Sequence, residues 1–150
     1  MELQIRTFGE LTTHELYELL WLRGDVFVEE QRCTCTDLDR VDYDALHVFC
    51  ADGGRVRAYL RIYAAEGEEG MMYIGRMVVD RSVRGTGLGL RLLRAGLDVC
   101  RDRLHARGVT IHAQSYAVGF YAKAGFEVCS DEFEEAGILH YQMKIMFTTS

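Results

Sequence analysis

Hydrophobic and polar residues change their spacing several times along this 150-residue chain, and each change marks an element. Leu3 and Ile5 alternate with polar neighbours up to Thr7, which predicts a short first strand. Thr12 stands three residues ahead of Glu15, the pattern of a capping box at a helix start. Leu16, Leu20 and Phe27, with Leu19, Leu22 and Val26, then place one apolar face on a helix running to about Val28. From Glu29 to Asp44 the periodicity is lost and the chain turns acidic. Three strand-like runs follow: Leu46 to Ala51, Val56 to Ala64 and Met71 to Val79. Asp52-Gly53-Gly54 and Glu66-Gly67-Glu68-Glu69-Gly70 are the turns between them. Val56, Ala58, Leu60 and Ile62 fall on one face of the middle run. An antiparallel meander is the simplest arrangement.

After the meander, a glycine-rich turn opens a helix with a stripe of Leu93, Leu97, Cys100 and Leu104, and Gly108 is placed to stop it. Val109 to Ala113 reads as a strand and Val118 to Ala124 as a short helix ended by Gly125. Phe126 to Ser130 and His140 to Phe147 are the last strand candidates, flanking a loop at Glu134-Glu135-Ala136-Gly137. With no repeat, linker or low-complexity segment, residues 1–150 are expected to form one α+β domain.

Composition narrows the functions. Hydrophobic residues make up 49% and charged residues 27%, as in a globular domain. A net charge of -6 argues against a nucleic-acid surface and leans toward a cationic small molecule or basic peptide as partner. No signal-peptide pattern or membrane-length apolar run is visible, so a cytoplasmic protein without membrane association is expected. The five cysteines (Cys33, Cys35, Cys50, Cys100 and Cys129) lack paired zinc spacing and read as reduced, mostly buried thiols, with no metal expected. The acids Asp37, Asp39, Asp42 and Asp44 do not make a calcium loop, because the fifth and sixth positions are Val41 and Asp42. They read instead as a solvated loop or a cation-attracting rim.

The strongest chemical signal is Arg84-Gly85-Thr86-Gly87-Leu88-Gly89, between a strand and a helix. Glycines let backbone N–H groups converge on a ligand, and the helix start adds partial positive charge. Together they suit a pyrophosphate. A P-loop would need a Lys-Ser or Lys-Thr pair after the glycines, which is missing. A dinucleotide fingerprint would need glycine at position 90, which is Leu90, and an acidic residue after the next strand. The remaining match is the R-x-x-G-x-G loop of the GNAT superfamily of N-acetyltransferases, which this segment resembles. An ordinary glycine-rich turn is the bland alternative.

A second stretch carries the same resemblance. Gln114, Ala117, Tyr121, Lys123, Gly125 and Phe126 resemble the superfamily's N-x-x-A-x-x-x-Y-x-K-x-G-F segment, with Gln114 where Asn is commoner. Phe27-Val28-Glu29-Glu30-Gln31, Asp37-Leu38-Asp39 with Asp42, Ala45-Leu46-His47, Ala58-Tyr59-Leu60-Arg61, Ile74-Gly75-Arg76 and Gly137-Ile138-Leu139-His140 are similar to the ElaA-like branch. Thr34 and Leu139 stand where that branch has proline, Cys35 where it has an aromatic and Arg40 where it has glycine.

The resemblance implies a GNAT-type mixed, largely antiparallel sheet with helices on both faces and a splay between strands 4 and 5. It implies acetyl-CoA as co-substrate and a small-molecule or peptide amine as acceptor, and it leaves room for a homodimer. Met77, Val78 and Val79 would pair with the pantetheine arm, and Arg84, Gly85, Thr86, Gly87, Leu88 and Gly89 would hold the pyrophosphate, with Gln114 and Tyr121 beside the cofactor. A backbone N–H near Val79 would stabilise the oxyanion. Tyr121 is the candidate general acid, since a phenol can supply the proton that a leaving thiolate needs. The base is open between a water relay, His47, His112 and His140, and His112 has the best position because it adjoins the expected splay. Arg61 and Arg76, inside strands, are expected to pair with Asp37, Asp39 or Glu29. Two other functions stay in view: a non-catalytic coenzyme A sensor and a transferase for longer acyl groups.

Overall fold

A computed structural model describes residues 1–32 and 36–148. The expectations for Cys33, Thr34 and Cys35 fall outside these residues. The elements are β1 (Leu3–Thr7), α1 (Thr13–Arg23), β2 (Leu46–Asp52), β3 (Arg55–Ala64), β4 (Met71–Val79), α2 (Leu88–Asp98), β5 (Gly108–Gln114), α3 (Val118–Ala122), β6 (Glu127–Val128), β7 (Phe133–Glu135) and β8 (Ile138–Met146).

The strands make one mixed sheet in the order β1-β2-β3-β4-β5-β8-β6, with β7 paired to β8 off that path. β4 and β5 are parallel and every other pairing is antiparallel. The parallel pairing covers only Met71, Met72 and Tyr73 opposite Gly108, Val109 and Thr110. Beyond Tyr73 the two strands part, while β5 stays paired with β8 along its whole length. The expected splay is present.

Helices cover both faces. Leu19, Leu22 and Val26 pack on Phe49, Tyr59 and Val78 on one side. Leu88, Leu92, Leu93, Leu97 and Cys100 pack on Val48, Leu60, Ile62, Val109 and Ile111 on the other. Fully burying each such leucine is worth roughly 1.5–3 kcal/mol. Because both faces are covered, Ala58 to Ile62 are buried without interruption instead of alternating with exposed residues.

Several details differ from the sequence expectation. The capping box forms as expected, with the Glu15 N–H donating to Thr12 Oγ1 at 3.0 Å and the Thr12 N–H donating to Glu15 Oε1 at 2.9 Å. The α-helix stops at Arg23, however, and Gly24–Glu30 continues as wider π-type turns. Gly24, Val26 and Val28 are weak α-helix formers, consistent with that change. The run from Phe126 to Ser130 supplies only the two-residue β6, and Glu134-Glu135 lie in a strand, so the expected loop is a β7–β8 hairpin. Val56 joins the α1-side cluster, whereas Ala58 joins the α2-side cluster. A register shift between Cys50 and Ala51 of the neighbouring strand breaks the two-residue alternation there. Cys50 and Cys100 are buried, but Cys129 is exposed.

One irregularity shapes the splay. Arg61 pairs with Gly75 and Tyr59 with Val78, so Arg76 and Met77 together oppose Leu60. This is a β-bulge. Arg76 sits there at φ +50°, a left-handed conformation that costs a non-glycine residue about 1–2 kcal/mol.

Candidate active site

The splay opens a cleft of about 1110 Å³. On β5, Thr110, His112 and Gln114 line it, while the alternating Val109, Ile111 and Ala113 belong to the α2-side core. The cleft therefore lies on the sheet face that carries α1. Two ends can be told apart.

The first end is the glycine turn. Gly85 and Gly87 have φ of +79° and +85°, a region closed to most L side chains. Gly87 is the residue before α2, and the first helical bond runs from the Arg91 N–H to the Gly87 carbonyl. The N–H groups of Gly89 and Leu90 come ahead of that bond, so they have no carbonyl within the helix to donate to. A Cβ on Gly89 would lie 3.1 Å from Val79 Cγ2 and 3.5 Å from Phe120 Cζ, so glycine permits the close approach of α2, β4 and α3.

Residues named from the sequence fall into three groups here. Met77, Val78, Val79, Arg84, Gly85, Gly87, Gly89, His112, Gln114 and Tyr121 all line the cleft. Thr86 turns its hydroxyl to the Val83 carbonyl, donating at 2.5 Å. The Leu88 side chain is buried in the core. The Arg84 guanidinium is already engaged, donating to both oxygens of Glu30 at 2.8 and 2.9 Å and to the Val79 carbonyl at 3.0 Å. These hydrogen bonds hold the Glu30 carboxyl below its ordinary range.

Tyr121 sits edge-on to Phe120 and Phe126, with centroids 5.2 and 6.0 Å apart. Burial pushes its phenol well above the ordinary value, which favours the protonated form. The Gln114 amide donates to Gln31 Oε1 at 2.9 Å, and Gln31 donates to the Tyr116 hydroxyl at 3.2 Å. Gln114 Oε1 is buried with no partner among the described residues.

The second end is a basin floored by Tyr63, Tyr73, Thr110, His112, His140 and Gln142. His112 Nδ1 lies 3.0 Å from Glu135 Oε1, and His140 Nε2 lies 3.8 Å from Glu135 Oε2. A carboxylate only accepts, so His112 Nδ1 donates and Nε2 of the neutral ring keeps its lone pair. The hydrogen bond from His112 lowers the Glu135 carboxyl below its usual value. Sequence reasoning missed Glu135 because it read the segment as a loop. The Ala136-Gly137 turn between the paired Glu135 and Ile138 was the available signal.

The acidic segment is not a free rim. Asp39 accepts from Arg61 at 2.9 and 2.6 Å, and Asp37 accepts from Arg23 and Arg76, each at 3.1 Å. Asp42 accepts from Arg23 at 2.7 Å and from Arg61 at 3.0 Å. Arg61 and Arg76 thus pair with two of the acids expected, and the fully buried Arg23 was not anticipated. The Arg61 hydrogen bond holds the Asp39 carboxyl at about 2. Burial alone would raise Asp42, but Arg23 and then Arg61 outweigh it and keep it ionised. His47 leaves the list of bases. It is fully buried, away from the cleft lining, between the Tyr59 hydroxyl at 2.6 Å and the Asp42 carbonyl at 2.9 Å. Burial also lowers its basicity.

Comparison with known proteins adds context to this geometry. A family profile described as an acetyltransferase (GNAT) domain matches residues 29–147. The chain is 34% identical to protein ElaA of Escherichia coli over 137 residues, covering 90% of each chain. A UPF0039 protein of Schizosaccharomyces pombe is 31% identical over 147 residues, covering 97% of each. Among solved structures, an acyl-CoA N-acyltransferase from Pseudomonas aeruginosa superposes with a TM-score of 0.88 at 32% identity, covering 96% of this chain and 99% of that one.

Proposed function

The chain belongs to the GNAT acetyltransferase family, and from that premise we propose that residues 1–150 form one domain that transfers an acetyl group from acetyl-CoA to an amine. The observation that carries the reading is the continuity of the cleft. A strand edge not paired with β5, Ile74 to Val79, leads through one short turn at Arg81–Val83 into the glycine turn, and both line the same cleft.

The residues present fit such a carrier. The free edge of β4 offers main-chain groups to the pantetheine arm, as in strand addition. Gln114 Oε1, buried and unpartnered, can accept from an amide of that arm. The N–H groups after Gly87 point out of a helix start, where a diphosphate is favoured. The carrier supplies an acyl thioester when bound.

Three groups of this chain then have tasks. His112 Nε2, with the ring's other nitrogen held by Glu135, takes a proton from the acceptor ammonium. Tyr121 holds a proton in a buried site and gives it to the leaving thiolate. The bulge at Arg76 and Met77 re-aims the β4 amides toward the gap, where they can donate to the acyl oxygen. Asp37 and Asp39 fix that bulge through the Arg76 guanidinium.

Thiol release from acetyl-CoA, screened over polyamines, amino acids and basic peptides, tests the reading. At least one acceptor should release thiol, and acetyl-CoA should raise the melting temperature. Gly87→Val should abolish most of that thermal shift, because its φ of +85° excludes a β-branched residue. Carrier binding without turnover on any acceptor would favour a sensor module instead.

A further inference from the structure

The basin at the second end of the cleft has an uneven charge distribution. Its guanidinium groups are already paired. Arg61 donates to both oxygens of Asp39 and to Asp42, and Arg76 donates to Asp37 and Asp39. Lys144, from the neighbouring β8, is held 2.6 Å from Glu68. The remaining lining cations, Arg84 and Lys123, lie at or beyond the glycine-turn end. Arg84 is bound to Glu30, and Lys123 follows α3, whose Phe120 packs beside Gly89.

Among the described residues, two of the lining carboxylates are not paired with a guanidinium or ammonium. Glu135 has a half-exposed side chain and is contacted by two imidazoles rather than by a guanidinium or ammonium. Glu66, in the β3–β4 turn, adds a second exposed carboxylate to the lining. The rings of Tyr63 and Tyr73 also line the basin, with centroids 5.1 Å apart. The Arg61 guanidinium already lies over Tyr63, 5.3 Å from its centroid, which leaves Tyr73 as the ring without a cation over it among the described residues. Aromatic faces and carboxylates both attract organic cations. An acceptor with its own carboxylate or phosphate would meet Glu135 beside guanidinium groups already paired to Asp37, Asp39 and Asp42, and like charges in a partly buried site repel.

We propose that this basin selects an amine carrying no anionic group, an organic cation such as an alkyl, aryl-alkyl or polyamine, held by Glu135 and the Tyr73 ring. The inference rests on the acetyl-transfer reading for its reaction, but not for its binding.

Two matched series test it: cadaverine against lysine, and tyramine against tyrosine methyl ester and tyrosine. Binding to the CoA-saturated protein is measured by calorimetry, and thiol release from acetyl-CoA is followed in parallel. The anion-free members should bind about tenfold or more tighter than the amino acids, with the ester close to tyramine. Glu135→Gln should compress that preference, and Glu135→Asp, which keeps the charge, should retain most of it. Preferential binding without thiol release would support the site and remove the transfer reading. Thiol release that favours the amino acids would keep the transfer reading and overturn this proposal. Equal binding within each series, no binding by any member, or a preference unchanged in Glu135→Gln would overturn it too.

Discussion

Replacing Tyr121 by phenylalanine isolates one proton. The Tyr121 ring makes edge-on contacts with Phe120 and Phe126, and phenylalanine keeps both. Loss of the hydroxyl should therefore change stability by no more than about 1 kcal/mol, the scale of a single hydrogen bond. The kinetic effect should be much larger. A positioned general acid contributes roughly 100- to 10,000-fold. The lower bound corresponds to about 2.7 kcal/mol of activation free energy. Burial raises the phenol above its ordinary value, so the proton stays in place between about pH 6 and 9. The expected result is a fall in kcat of at least about 100-fold across that range, with the KM for acetyl-CoA and the melting temperature nearly unchanged. Steady-state thiol release and a thermal melt suffice. A kcat within about twofold of the parent at all pH values would remove Tyr121 from proton transfer. A raised KM with normal kcat would assign it to packing against the carrier.

Other perturbations probe the surroundings. Glu30→Gln removes the carboxylate bound to Arg84 at the glycine turn, and calorimetry should show coenzyme A binding tighter by on the order of threefold. Asp42→Ala leaves the buried Arg23 and Arg61 without a shared partner, so urea unfolding should report a loss of about 3–5 kcal/mol. Asp39 is held at about 2 in the fold, below the unfolded carboxylate near 3.9. Its contribution is therefore complete above the unfolded value and disappears as pH falls through about 2, so Asp39→Asn should flatten an acid titration followed by circular dichroism in that window. Gly108→Ala would set a Cβ 2.3 Å from the Ile145 carbonyl oxygen, and thermal unfolding should show a cost of about 1–3 kcal/mol or more.

The sheet was legible where one residue type had one physical reason to be present. The strand-like run from Met71 to Val79, bounded by the turn at Gly70 and the glycines after Arg84, was legible as a strand and a turn, and the structure contains both. The splay could not be read from periodicity, because the residues on either side of it keep strand spacing after their mutual pairing ends; it came from the family resemblance. The acidic segment was read only in part: the pairing of Arg61 and Arg76 with Asp37 and Asp39 was expected, but the buried Arg23 and its hold on Asp37 and Asp42 were not. Arg23 lies on a helix 14 positions before Asp37, and nothing in its spacing sets it apart from an exposed helix arginine. Glu135 was hidden by distance along the chain, since His112 lies 23 residues before it.

The short contact between β4 and β5 has a mechanical consequence. Three residues of parallel pairing join a four-stranded half, β1 to β4, to a half built from β5 to β8. Beneath that seam, one apolar cluster joins α2 to Leu60 and Ile74 from one half and to Val109 and Ile111 from the other. A guest lying along the open edge of β4 would brace the halves apart at a fixed width. Grip on the guest and alignment of the halves would then be a single event.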